Sequence, residues 1–279
     1  GDEVLVLTPT WPLLFGLLQR RGCVPVEVDV DPSGWLPDDP TTLIERLKAA
    51  ITDRTCGVAF CNPNNPAGFV YSDAQLQAIA ELAKANDLWI YYDAVYMDLD
   101  FEKNKTLAFV QQNRDRVFAV TSFSKSFGLA GHRVGLLVSP PGAPQEQIPT
   151  LQSHSTYHAG NMGQRMALAS LRADAADERA KRLDIARAGA EQVVEVLGDC
   201  VALRAPKGGA FVFLDLRART KTAADTLAFL GACLERDVSL APGSAFGMNF
   251  CRFARVCTTA TPPDQLEEGL ARIREVLGG

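Results

Sequence analysis

The chain is 279 residues long, 47% hydrophobic and 22% charged, with a formal net charge of −5. That length suits one large domain plus a smaller one, and the apolar content supports a substantial core. Mild acidity without a basic block argues against a nucleic-acid partner, and no apolar run is long enough to span a membrane.

Seven cysteines, an odd number without C-x-x-C spacing, read as reduced, mostly buried thiols of a cytoplasmic protein. The three histidines are His132, His154 and His158. None has a partner at metal-ligand spacing, so no metal site is expected, and His154 and His158 fall in an expected surface loop.

The predicted elements alternate strand and helix. Glu3–Leu7 is a first strand, and Thr8-Pro9-Thr10-Trp11-Pro12 ends it with an indole face suited to stacking. Pro25–Val30 is a second strand and Gly57–Cys61 a third. The loop Cys61-Asn62-Pro63-Asn64-Asn65-Pro66-Ala67-Gly68 follows. Its prolines fix φ and its glycine permits an unusual one, so the loop can hold an Asn amide in a defined pose. Ser72 to Asn86 reads as a helix opened by a Ser72/Gln75 capping box. Leu88–Asp93, Arg116–Thr121 and Val134–Ser139 complete the set of strands, with Tyr96 three residues beyond Asp93. Pro140-Pro141-Gly142 and Pro144 mark a turn before a mainly helical stretch that starts near Gln145. A charged helix, about Ala175 to Leu197, leads to the strand Gly209–Leu216, a strand around Arg255, and a last helix entered through Thr261-Pro262-Pro263-Asp264. This order predicts an α/β fold with a mostly parallel central sheet flanked by helices, plus a smaller C-terminal α+β domain. The boundary is placed at residue 180, giving a large domain of residues 1–180 and a small one of 181–279.

The most informative stretch runs from Ser122 to Gly135, SFSKSFGLAGHRVG. It puts Lys125 in a Ser/Gly loop beyond the apolar strand Val117–Val120. A lysine there is a poor packing residue, because burying an ammonium is costly. It is well suited to an amine that is desolvated, loses its charge and attacks a carbonyl. Ser122 and Arg133 flank it with a hydroxyl and a guanidinium fork suited to a phosphate. An imine-forming lysine beside phosphate ligands points to pyridoxal phosphate. Asp93, at a strand end, is placed to pair with a protonated pyridine nitrogen, and Tyr96 to donate to the ring oxygen. These groups stand at successive strand ends, where open α/β sheets bind ligands.

With these motifs the chain resembles the fold-type I pyridoxal phosphate enzymes, specifically the class I/II aminotransferase family, over its whole length. The family's S-x-S-K-x-x-G-L-A-G-x-R-x-G motif is matched throughout. Its N-P-N-N-P-T-G motif is matched at Asn62–Gly68 with Ala67 in place of Thr, and its D-x-x-Y element is Asp93-Ala94-Val95-Tyr96. The resemblance implies that Lys125 carries the cofactor as a Schiff base, Asp93 pairs with the pyridine nitrogen, and Asn65 and Tyr96 bond the ring oxygen. Ser122 and Arg133 would hold the phosphate and Trp11 would stack on the ring. Phe253-Ala254-Arg255-Val256-Cys257 resembles the strand whose arginine grips the substrate α-carboxylate, a contact that favours Arg.

The activity implied is ping-pong transfer of an amino group from an L-amino acid to a 2-oxo acid, by a homodimer. Alternatives with the same residues are another reaction of the cofactor on an amino acid (β-lyase, decarboxylase or cyclase) and a non-catalytic pyridoxal phosphate sensor. Ser153–Asn161 contains no arginine, so the expected amino donor is neutral, aromatic or otherwise non-acidic. The family's segment upstream of the first strand, which carries part of the phosphate cradle, has no counterpart in this sequence.

Overall fold

In chain order the elements of the computed structural model, which describes residues 1–102 and 106–278, begin with β1 (Glu3–Thr8), α1 (Leu13–Arg20), β2 (Val24–Asp29), α2 (Pro40–Ala50), β3 (Thr55–Cys61) and α3 (Asp73–Ala85). Then come β4 (Trp89–Asp93), α4 (Thr106–Gln112), β5 (Val117–Ser122), β6 (Gly135–Val138), α5 (Ala143–Ser155), α6 (Asn161–Ser170) and α7 (Ala176–Leu197). The chain closes with β7 (Phe211–Asp215), α8 (Ala223–Leu234), β8 (Ala241–Pro242), β9 (Phe253–Cys257) and α9 (Pro263–Leu277).

The six predicted strands of the first part form one sheet in the order β2-β1-β3-β4-β5-β6. Neighbours are parallel except β6, which runs antiparallel to β5. All of β1 is buried, as a central parallel strand covered on both faces requires. Its one acid, Glu3, is neutralised by Arg54. The helix α3 opens with the reciprocal Ser72/Gln75 capping box expected from the sequence.

β7, β9 and β8 form a second, antiparallel sheet. Alternation along β7 splits its side chains between two cores. Phe213 packs with Phe246, Phe250 and Phe253 in the same apolar cluster as Leu5, Phe60 and Tyr92 of the large sheet. Val212 and Leu214 face the opposite way, into a cluster with Val193 and Leu197 of α7 and Leu270 and Ile273 of α9.

Four local expectations are corrected. The helix after Pro140 begins at Ala143, with Pro144 in its first turn, where no amide donor is needed. His154 therefore sits in the last turn of α5 rather than in a loop, although it and His158 are exposed as expected. The last helix has Pro262 at its N-cap with no side-chain cap, because the two prolines move the helix start past Thr261. Of the seven cysteines, all free, Cys61, Cys200 and Cys233 are buried while Cys23, Cys56, Cys251 and Cys257 are partly exposed. No helix among the described residues is long and apolar enough to cross a membrane.

Candidate active site

The parallel strands β1, β3, β4 and β5 lie side by side, so their C-terminal ends bring four loops to one edge. Trp11 follows β1, the asparagine loop follows β3, Asp93 ends β4 and Ser122 ends β5. Trp11, Asp93, Ser122 and Arg133 line one cavity of about 560 Å³. Lys125 and Tyr96 line an adjoining cavity of about 390 Å³, and Ser124 borders both.

The asparagine loop is held by its own side chains. Asn64 Oδ1 accepts from Ala67 N at 2.9 Å, and Asn64 Nδ2 donates to the Pro9 carbonyl at 3.0 Å. Asn62 Oδ1 accepts from Tyr71 N at 3.0 Å, and Asn62 Nδ2 donates to the Tyr92 hydroxyl at 2.9 Å. Gly68 closes the loop with φ +69°, and a Cβ there would stand 2.4 Å from Pro206, so both its backbone and its surroundings require glycine. Asn65, buried, accepts at Oδ1 from Arg255 Nη1 at 2.8 Å, which leaves its amide NH₂ to donate elsewhere.

Arg255 is wedged between two rings, 4.2 Å from the Phe211 centroid and 4.9 Å from that of Phe246. Burial lowers its pKa, and its Nε has no partner. A desolvated guanidinium with a free N–H is a strong site for a carboxylate. Phe246 was invisible to sequence reasoning, because no local pattern links it to Arg255 nine residues on.

Asp93 faces the first cavity from deep in the protein. Burial pushes its carboxyl above the usual value, while the Val95 N–H at 3.1 Å, the Cys61 thiol and the charge of Lys125 pull it back. Tyr96 is buried and its phenol is raised far above the usual value by that burial. In the lysine loop, Ser124 N donates to Ser122 Oγ at 3.1 Å, and Arg133 Nη1 donates to the Ala130 carbonyl at 2.9 Å. Lys125 Nζ stands 5.9 Å from the Tyr96 ring centroid. Lys125 is exposed, which corrects the expectation of a desolvated amine. It lines the second cavity together with Tyr96 and Arg182. Among the described residues no cluster of His, Cys, Asp and Glu suited to a metal ion is found.

A mostly parallel sheet carrying these loops beside a small antiparallel sheet is the architecture of the fold-type I pyridoxal phosphate enzymes. The family model for aminotransferase class I and II matches residues 1–273, and the chain belongs to that family. It is 29% identical to an aspartate aminotransferase of Streptomyces avermitilis, over 99% of this chain and 69% of that one. Against the arginine–pyruvate transaminase of Pseudomonas aeruginosa the identity is 34%, over 88% of this chain and 62% of that one. The solved aromatic aminotransferase of Pyrococcus horikoshii superposes with a TM-score of 0.89 at 26% identity, over all of this chain and 73% of that one. The protein is thus a transaminase, and the family's cofactor is pyridoxal phosphate.

The residues fit that group. The Asp93 carboxylate accepts from the Val95 backbone N–H, so lone pairs remain for a cationic N–H presented from the cavity. Trp11 offers a partly exposed indole on the wall, and Ser122 and Arg133 bring a hydroxyl and a guanidinium to the same space.

Proposed function

We propose that the first cavity holds pyridoxal phosphate and that the groups around it carry the transamination in the roles the motifs imply. The observation that supports this most is the convergence of Trp11, Asp93, Ser122 and Arg133 on one cavity, with Lys125 in the adjoining cavity that shares Ser124 with it. When bound, the cofactor supplies an electron-withdrawing ring that accepts the electron pair left as a substrate Cα–H bond breaks. Asp93 keeps the ring nitrogen protonated, while Asn65 and Tyr96 bond the ring oxygen. Ser122 and Arg133 bind the phosphate, and Trp11 stacks on the ring. Lys125 holds the cofactor and, once displaced by substrate, takes the α-proton at Nζ. Arg255, already aimed by Asn65 and the two phenylalanines, grips the substrate α-carboxylate and so orients the Cα–H bond. The two substrates, an amino acid and a 2-oxo acid, use this site in turn.

Reconstitution with pyridoxal phosphate followed by a panel of amino acids tests this reading. The expected result is a visible absorption band that is lost only with certain amino acids. Lys125→Ala should fold, bind the cofactor without that band and lose all turnover. Retained turnover would sink the assignment.

The absence of arginine from Ser153–Asn161 supports a neutral or aromatic donor. A second reading comes from Arg182, which lines the cavity containing Lys125 and lies against Gly128, where a Cβ would stand 2.6 Å from Nη1. That cation favours an acidic donor. Under this reading Arg182→Ala raises KM for aspartate or glutamate and not for apolar amino acids; under the first it raises neither.

The division at residue 180 is supported by α7, which separates the six-stranded sheet from the three-stranded one. A homodimer is supported by exposed apolar side chains on β6 and α6, among them Leu136, Leu137, Met162 and Leu168. Free thiols in every cysteine are in keeping with a cytoplasmic location.

A further inference from the structure

Thr8 and Asp29 are register partners at the C-terminal ends of the paired strands β1 and β2. Registered residues of adjacent strands project to the same side, and here Thr8 Oγ1 donates to Asp29 Oδ1 at 2.6 Å. The second carboxylate oxygen, Oδ2, accepts from Asn249 Nδ2 at 2.7 Å. Asn249 belongs to the segment Gly243–Phe250, which lies between β8 and β9. Its neighbour Met248 donates its N–H to Glu27 Oε2 at 2.9 Å, and Thr10 N donates to the Phe246 carbonyl at 2.9 Å. A Cβ on Gly247 would stand 3.2 Å from Thr8 Cβ, so this segment lies directly against the end of β1.

Both partners of that contact lead to the site. On one side, Thr8-Pro9-Thr10 carries Trp11 to the first cavity, and the Pro9 carbonyl anchors Asn64 of the asparagine loop. On the other, Ala241 of β8 pairs with Arg255, and Phe246 packs on the Arg255 guanidinium. Thr8, Thr10 and Phe246 are buried, whereas Asn249 is exposed. The Asn249 amide is thus outside the apolar core and acts through its hydrogen bond.

We propose that Asp29 and Asn249 are positioning residues of this site. Their pair clamps Phe246, and through it Arg255, against the strand end that carries Trp11. The clamp sets where the substrate carboxylate stands relative to the cofactor, a role that rests on the functional reading above for Arg255 and Trp11.

The test compares wild type, Asn249→Asp, and the exchanged pair Asp29→Asn with Asn249→Asp. The single variant sets two carboxylates face to face. In the exchanged pair the amide at position 29 donates to the carboxylate at position 249, while its oxygen still accepts from Thr8. The exchanged pair also keeps the wild-type net charge. Four quantities are measured: steady-state kinetics with an amino donor, pyridoxal phosphate Kd, melting temperature, and NMR exchange of the Thr10 amide in the apoprotein. In Asn249→Asp, KM should rise about tenfold, as losing a hydrogen bond to a charged group implies, with kcat and Kd within about twofold of wild type. The Thr10 amide should exchange faster. The exchanged pair should return both KM and Thr10 exchange to wild-type values.

A purely structural role would lower the melting temperature of Asn249→Asp and leave KM in place. That result would overturn the proposal, as would a raised KM that the exchanged pair does not restore. Should Asn249→Asp fail to fold, Asn249→Ala removes the bond without the repulsion, and an unchanged KM there overturns the proposal equally. The kinetic arm depends on the functional reading and the exchange arm does not. A wild type without transaminase activity sinks that reading, while Thr10 exchange still decides whether the pair clamps the two segments.

Discussion

Asp93 and Arg255 carry opposite charges into low-dielectric surroundings, and each is held by a different device. Asp93 is buried against a cavity with few donors, so its proton is bound more tightly in the folded chain than in the unfolded one. Stability therefore falls as pH rises from the usual carboxylate range through the raised value, and the penalty is relieved below it. Asp93→Asn should raise the melting temperature of the apoprotein at neutral pH by a few degrees, at about 2–4 °C per kcal/mol. The gain should shrink as pH falls, and the same substitution should weaken cofactor binding. A calorimetric pH series beside a binding titration checks both, and an unchanged Kd would place the nitrogen partner elsewhere. Arg255 depends on geometry. Arg255→Lys keeps the charge and loses the fork that reaches Asn65, so KM for every amino donor should rise by about tenfold or more.

At the scale of the element, helix starts and strand ends do different work. The Ser72/Gln75 box satisfies two orphan backbone donors of α3, and its sequence signature is complete. Ser72→Ala should cost about 1 kcal/mol of stability without changing kcat, as urea unfolding and steady-state kinetics can check. Strand ends instead aim side chains at the cavity, and there a small change acts on function. A Cβ on Gly135, at the start of β6, would stand 2.6 Å from the Thr121 carbonyl. Gly135→Ala should push β6 from β5 and displace Ser122 and Arg133. Phosphate affinity, read by competition with pyridoxal phosphate, should weaken more than stability falls.

For the whole molecule, Phe213 is the joint. It belongs to the second sheet and packs in the core of the first, stacked on Phe253 at 4.9 Å. The two sheets share this core, so heating should give a single calorimetric transition. Phe213→Ala should lower stability by about 3–5 kcal/mol. It should also loosen Arg255, its register partner on β9, and so raise KM. Two resolved transitions in the wild type would show that the halves unfold independently.

Period and punctuation made much of this protein legible in one dimension. Apolar runs of strand length marked all six strands of the large sheet to within two residues, including the exposed edge strand β6, whose residues are themselves apolar. The Ser72 box and the prolines at Asn62–Gly68 act within a few residues of themselves, so their effect could be read locally. The lysine, asparagine and aspartate motifs also carried their own order. What lay beyond reach was pairing. That Cys61 stands in register with Asp93 is set by how β3 lies against β4, which no pattern within either strand specifies. That Phe211 and Phe246 flank Arg255 depends on β7 pairing with β9 and on the segment before β9 folding back to the same guanidinium, and the exposure of Lys125 depends on the cavity it lines. Local chemistry selects elements from neighbours along the chain, whereas contacts between elements distant in sequence arise only when the whole core closes around them.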